Sequence, residues 1–388
     1  MRLYLAVLFS IVISMPSNAQ YRITGLNFLL EPESILSSSL GHSTVAIKGW
    51  PGTHHINPAA LHFGETPTFG FYRDQQKMRF GGQVNTFTHF FTGYGAKRFN
   101  ITGALKHFKV EYSGETAEII TNREEYVANV SGSYTFSNNL SAGVGFNYIY
   151  SDPGNFSFAE ISNQPEKIIS LDLGLHYESR LFTSANWAGK WSSGWSLTDF
   201  GGPVSYNETV PGLPIPMKMN LGSGIQLQTR KQILGMHAFG SKLLLGFSKL
   251  MARQENKTEQ VGQLPVEVNV PMKPLKALFK SWDRYTWFGP EGEIEANVIQ
   301  QIWTHTGLEF TLMETLSLRL GYQDGGKPNK VYDFTAIGFG VDLGYLNIDY
   351  VHQSLDSGNN NDKRSYWQFT AKIPIKEKRP RSILNYLF

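Results

Sequence analysis

Cysteine is absent from the 388 residues, which removes disulfides, thiolate metal sites, a cysteine nucleophile and a lipoprotein anchor together. Charge is scarce as well. Asp, Glu, Lys and Arg make up 17% of the chain and nearly cancel, leaving a net charge of +3. With so small a balance, and no basic stripe interleaved with aromatics, the chain points away from nucleic acid. Beyond residue 20 no apolar run approaches the roughly 20 residues that a spanning helix needs. Any crossing of a membrane must therefore be made by strands. What the chain has in quantity is glycine and aromatic residues, 38 Gly and 13% Phe, Trp and Tyr, at a mean hydropathy of -0.25. That mixture suits many strands joined by tight turns.

The start of the chain reads as an export signal. Arg2 gives a positive n-region, Leu3 to Ile13 an apolar h-region, and Ser17-Asn18-Ala19 a small-residue site, so cleavage is expected between Ala19 and Gln20.

Past residue 64, period-two alternation recurs over segments about ten residues long, the length a tilted strand needs to cross a bilayer. In Met217 to Gln228 one face is Met217, Met219, Leu221, Ser223, Ile225 and Leu227, and the other is Lys218, Asn220, Gly222, Gly224, Gln226 and Gln228. "GFGVDLGYLNIDYVHQ", residues 338–353, reads as two strands joined at Gly344-Tyr345, with Phe339, Val341, Leu346, Ile348 and Tyr350 toward lipid and Asp342, Asn347 and Asp349 toward a lumen. The pattern predicts an all-β fold, a transmembrane antiparallel β-barrel of about 14 strands, including strands near 184–198, 216–229, 234–250 and 301–311. Long links such as 112–125, 150–167, 198–216 and 250–301 alternate with tight ones such as 97–100, 136–139, 311–315 and 342–345, the asymmetry of external loops and periplasmic turns. Aromatics near strand ends, such as Tyr148, Trp187, Tyr322 and Tyr350, suit interfacial girdles. The expected organisation is a signal peptide over 1–19, an N-terminal hatch over 20–64 plugging the lumen, and the barrel over 65–388 with a long external loop at 251–300. The expected location is the outer membrane, in contact with its lipid.

Nothing in the chain spells out catalysis. There is no Gly-x-Ser-x-Gly elbow, His-Glu-x-x-His helix or phosphate loop. Lumen carboxylates such as Asp172, Asp342 and Asp349 read as polar wall. His54 and His55 are adjacent and cannot share a helix face as zinc ligands do, and Asp356 to Asp362 reads as a polar loop rather than a calcium site. Neither enzyme chemistry nor a cofactor is expected.

The segment "ESILSSSLGHSTVAIKGWPGTHHINPAALHFG" resembles the N-terminal hatch of FadL-like outer-membrane transporters and of the PorV/PorQ family, with Asn57, Pro58 and Ala59 as its hatch motif. Read on its own, Asn-Pro is a turn entering a short helix. Three further stretches are similar to the PorV/PorQ family of the type IX secretion system, in the same order and at similar spacing: "SLTDFGGPVSYNETVPGLPIPMKMNLGSGIQL", "PLKALFKSWDRYTWFGPEGEIEANVIQQIWTHTGLEFTLMETLSLRLGYQDGG" and "YDFTAIGFGVDLGYLNIDYVH". The resemblance covers nearly all of the exported chain and departs from the family at Trp50 to His55 and after Pro374. It implies a barrel that binds the C-terminal signal domains of secreted cargo proteins and shuttles them from the secretion translocon to the surface attachment complex. The alternative it leaves open is a FadL-like transporter for hydrophobic small molecules such as long-chain fatty acids. Within the 251–300 loop, Pro274 to Trp287 reads as an amphipathic helix, with Leu275, Leu278, Phe279 and Trp282 on one face. Leu275, Phe279, Trp282 and Trp287 are accordingly the expected partner-binding residues, or else the underside of a lid.

Overall fold

The computed structural model describes residues 24–31, 34–49, 52–63, 65, 67–77, 83–112, 122–154, 164–207, 211–261, 264–289, 292–326, 333–356 and 361–373. The signal-peptide reading and the tail after Pro374 lie outside them. Fourteen long antiparallel strands form one ring: β1 Thr68–Lys77, β2 Val84–Ala96, β3 Phe99–Glu111, β4 Arg123–Thr135, β5 Leu140–Asp152, β6 Glu166–Glu178, β7 Trp187–Gly201, β8 Lys218–Thr229, β9 Phe239–Leu250, β10 Trp303–Leu312, β11 Leu316–Asp324, β12 Phe334–Asp342, β13 Leu346–Asp356 and β14 Asn361–Lys372. Each pairs with its sequence neighbours. The ring closes where β1 meets β14, from Thr68 opposite Lys372 to Arg73 opposite Trp367, so no sheet edge is left open to recruit another chain.

Period two decides what each strand shows to either side. Outward positions carry exposed apolar residues on nearly every strand, among them Ile101, Val130, Val144, Ile169, Leu173, Leu221, Leu243, Leu245 and Phe339. A soluble surface does not sustain a continuous apolar belt of that extent. Inward positions are polar and buried, as in the chain of Asn129, Asn147, Ser170 and Asp172 linked side chain to side chain. Among the described residues no helix is long and apolar enough to cross a membrane; the strands do so instead, and the molecule is a barrel of the outer-membrane kind.

Connections of very different length segregate to opposite ends. At one end lie tight turns such as Lys97–Arg98 and Met313–Thr315. The turn after β12 follows the sequence reading: Gly344 takes φ +85°, its N–H donates to the Asp342 carboxylate at 2.7 Å, and Leu343 N–H donates to the Leu346 carbonyl at 2.9 Å.

Two strands differ from the sequence pattern. The strand expected from 234 begins only at Phe239, because Leu234 and Gly235, at φ 52° and 73°, turn Gln232–Ile233 back on Met236–His237 in a small ribbon. The alternation there belongs to a hairpin. The strand expected to end at 198 runs to Gly201, since a bulge at Asp199, φ 56°, shifts its register against β6. Asp172 fixes that bulge by accepting the Asp199 N–H at 2.8 Å.

Candidate functional site

The described residues between 24 and 63 form a short helix at Ile35–Ser39 and tight turns in place of strands, and several of their polar groups are met by inward-facing residues from around the ring. Ile35 N–H donates to Gln368 on β14 at 3.0 Å, Gly41 offers its carbonyl to His305 on β10 at 2.9 Å, Ala46 to His176 on β6 at 3.0 Å, Ile56 to the Ser196 hydroxyl on β7, and Phe63 N–H donates to Asn100 on β3 at 3.0 Å. Asn57, Pro58 and Ala59 are fully buried in this arrangement. The Asn57 side chain accepts from Ala59 N–H at 3.0 Å, capping the turn that Pro58 begins. Its amide nitrogen donates to the Val45 carbonyl at 2.8 Å and to the Leu175 carbonyl on β6 at 3.1 Å. One side chain thus ties two parts of the segment to the wall.

Glycines make room for this contact. Gly143 pairs across strands with Gly174, Gly194 with Gly222, Gly222 with Gly246, and Gly307 with Gly321. A methyl at Gly143 would strike the Pro58 carbonyl, at Gly194 the Val45 carbonyl, and at Gly321 the Gly41 amide. The segment's backbone lies directly on the wall's backbone.

Two cavities sharing no lining residue lie toward the two ends. At the short-turn end, a space of about 440 Å³ is walled by a lattice of ion pairs. Glu309 takes Lys242 and Arg319 at 2.7 Å each, and Arg319 reaches on to Asp349 at 2.7 Å. Arg319, Glu309 and Asp349 are all but inaccessible, and the lattice braces β9, β10, β11 and β13. Asp342, nearby, pairs with Lys372 at 3.2 Å.

At the long-loop end, a cavity of about 270 Å³ is built differently. Phe28, Tyr72, Phe87, Phe108, Phe334 and Leu355 form its apolar wall, with Arg123, Lys218 and Arg364 among them. Phe28 stacks on Phe108 at 5.8 Å, and the Lys106 ammonium lies 5.1 Å from the centre of the Phe87 ring. Glu31 of the N-terminal segment meets Arg364 at 3.4 Å. His42, facing the same space, donates from Nδ1 to Gln323 at 2.7 Å. Loss of water, and secondarily the positive field of Lys218, hold its imidazole down to about 4 against the Gln323 hydrogen bond. Asp74 lines the same space with Glu31, so its three cations exceed its two carboxylates by one, a balance that suits a molecule with an apolar body and an anionic end.

The cavity was not legible as a site in the sequence. The signal that could have found it is aromatic residues at inward positions, Tyr72, Phe87 and Phe334, where period two otherwise places polar ones.

The expected partner-binding residues lie elsewhere. The 251–302 connection holds a hairpin of Gln254–Val261 with Leu264–Pro271, helix α1 at Pro274–Lys280, and a second hairpin of Tyr285–Gly289 with Gly292–Ala296, in which Trp287 stands opposite Ile294. The helix ends at Lys280, short of the expected Trp287, because the chain turns there into the second hairpin, and its apolar arc is divided between two environments. Ala277 is buried and Leu278 and Trp282 pack beside it against Leu197, Met217, Met251 and Met272, while Leu275 and Phe279 stand 61% and 71% exposed.

No family model matches the chain, and no curated protein does. Among solved structures it is similar to the toluene transporter TbuX of Ralstonia pickettii, at 9% identity over 89% of this chain and 100% of that one, TM-score 0.49. It is also similar to the toluene transporter TodX of P. putida, at 11% identity over 87% and 96%, TM-score 0.45, and to a Pseudomonas aeruginosa FadL homologue, at 10% over 86% and 96%, TM-score 0.43.

Proposed function

We propose that this barrel takes up hydrophobic, amphipathic small molecules such as long-chain fatty acids, and that residues 20–64 act as the hatch that keeps its lumen closed. The observation that carries the reading is the long-loop cavity, whose aromatic wall suits an acyl chain and whose Arg123, Lys218 and Arg364 suit its carboxylate. The hatch lies between that compartment and the ion-paired vestibule below. Passage therefore requires the segment to shift, which a barrel with an open pore would not need.

A second reading, as a type IX secretion component that binds the C-terminal signal domains of cargo and hands them from translocon to attachment complex, is favoured by the exposed Leu275 and Phe279 in the longest loop. One deletion separates the two. Loss of growth on a long-chain fatty acid, with cargo still secreted and surface-attached, supports uptake; normal growth with cargo no longer attached overturns it in favour of secretion.

A further inference from the structure

The exposed residues of α1, which the secretion reading would give to cargo, have another candidate occupant, because the helix is placed on the outside of the barrel wall. Its neighbours Trp195, Leu197, Met217 and Met219 fall on the outward parity of β7 and β8, the parity of Trp191, Leu221 and Ile225 in the apolar belt. Leu197 is cross-strand partner to Leu173, which is 43% exposed in the belt of β6, and to Met219 on the other side. The footprint of the helix is thus continuous with the lipid-facing surface.

Lys249 gives an independent sign. It continues the outward series Leu243, Leu245 and Phe247 and stands opposite Met219, yet it is 2% exposed. The loop covers it: the Trp282 ring lies 5.7 Å from its ammonium, and Gln301 accepts its hydrogen bond at 2.5 Å. Arg253 fastens the cover by donating to the Ser281 and Asp283 carbonyls at 3.0 and 2.6 Å. An ammonium on the lipid side is thereby shielded from hydrocarbon.

At about 100° per residue, and carried on through the turn at Ser281 and Trp282 that follows the helix, the barrel-facing arc of α1 runs through Ala277, Ser281, Leu278 and Trp282. Leu275 and Phe279 come next on the circle, and Lys276 and Lys280 fill the remaining side. The lysines are engaged by Glu255 and Asp283. Barrel, apolar and charged sectors follow in the order an in-plane helix at a membrane rim requires.

We propose that α1 lies in the outer leaflet against the barrel wall, with Leu275 and Phe279 inserted among lipid acyl chains. The occupant of this face is lipid, and a soluble protein domain is the competing outcome. The absence of cysteine makes the test direct. Nitroxide labels at Leu275→Cys, Phe279→Cys, Leu173→Cys and Asn256→Cys, in barrels reconstituted into phospholipid vesicles, are compared for collision with oxygen, which concentrates in hydrocarbon, and with a nickel chelate, which stays in water. The expected oxygen-to-nickel ratio at 275 and 279 matches that at Leu173 and exceeds that at Asn256. A ratio equal to that at Asn256 overturns the proposal and leaves the face to a soluble partner. The unsubstituted protein gives a second measurement with a photoactivatable acyl-chain lipid: labelling of the peptide spanning 274–282 along with belt peptides is expected, and labelling of belt peptides alone overturns the proposal. Neither readout depends on what the barrel transports.

Discussion

The glycine seat permits a quantitative test of the hatch. A Cβ added at Gly321 would lie 2.7 Å from the Ser39 carbonyl oxygen, and one at Gly143 would lie 2.5 Å from the Pro58 carbonyl oxygen, where ordinary contact begins at 3.4 Å. In each case the obstacle is backbone, so no rotamer change relieves it, and the segment must withdraw by most of an ångström. Withdrawal at Gly143 stretches the Asn57 bond to Leu175 from 3.1 Å beyond hydrogen-bonding range. Gly143 on β5 and Gly321 on β11 push from well-separated parts of the ring, so retreat from one does not relieve the other. Overpacking of this kind costs about 1–3 kcal/mol per site, and separated sites add. Gly143→Ala with Gly321→Ala therefore shifts the seated hatch toward release by about 2 kcal/mol or more, roughly thirtyfold in the equilibrium. The assay is ion conductance in planar bilayers together with sensitivity of cells to a large antibiotic. Gly202→Ala, where an added Cβ meets nothing within 4 Å, is the control. A double variant that assembles normally and remains as tight as the control refutes the plug.

Other consequences follow from charge and topology. Arg319→Met leaves Glu309 and Asp349 buried without their shared guanidinium, a loss of about 3 kcal/mol or more, and the temperature at which the folded band disappears in heat-modifiability gels should fall. His42 has its imidazole lowered from 6.5 to about 4 when the hatch is seated, so a released hatch binds a proton that the seated one refuses. Seating is at full strength above pH 6.5 and weakens as pH falls from 6.5 toward 4; conductance should rise over that window and flatten in His42→Asn, and equal pH dependence in both proteins removes His42 as the cause. An epitope inserted beside Asn256 should be reached by antibody on intact cells, because the longest connection of such a barrel is external; labelling only after permeabilisation inverts the orientation.

How much of this was written in the sequence depends on which residues carried a period. Strands were legible because lipid on one side and polar interior on the other impose alternation, and the residue pair Gly344-Tyr345 marked its turn for a local reason, a left-handed φ. The segment before β1 was legible only as a region lacking that period, with Asn57-Pro58 its one local signal. The long-loop cavity was hidden because Tyr72, Phe87 and Phe334 come from three strands, and a ring spread over the chain has no spacing of its own. The glycine seat was hidden for a related reason: Gly143 and Gly174 are meaningful only as cross-strand partners beneath Pro58.

The 251–302 loop is the case where a helical period was read too far: the helix expected over Pro274 to Trp287 ends at Lys280, and Trp287 belongs to a hairpin. Leu275, Leu278 and Phe279 on the helix and Trp282 in the turn after it do share one arc, but Leu278 and Trp282 pack toward the barrel while Leu275 and Phe279 stand exposed, a division that depends on where the loop comes to rest. One residue in the sequence does point to that place. Lys249 ends an outward series of Leu243, Leu245 and Phe247, where a bare lysine facing hydrocarbon would cost about 2–4 kcal/mol at the midplane and less toward the rim. A cation at that parity implies either that the membrane has ended or that protein covers it, and the structure supplies the cover through Trp282 and Gln301. Gln301→Leu with Trp282→Ala should strip that cover while leaving every strand pair intact. The barrel should then assemble more slowly into vesicles, and Lys249→Met in the same background should restore the rate. Failure of Lys249→Met to restore it would mean that the defect comes from the loop's own packing and not from an uncovered charge.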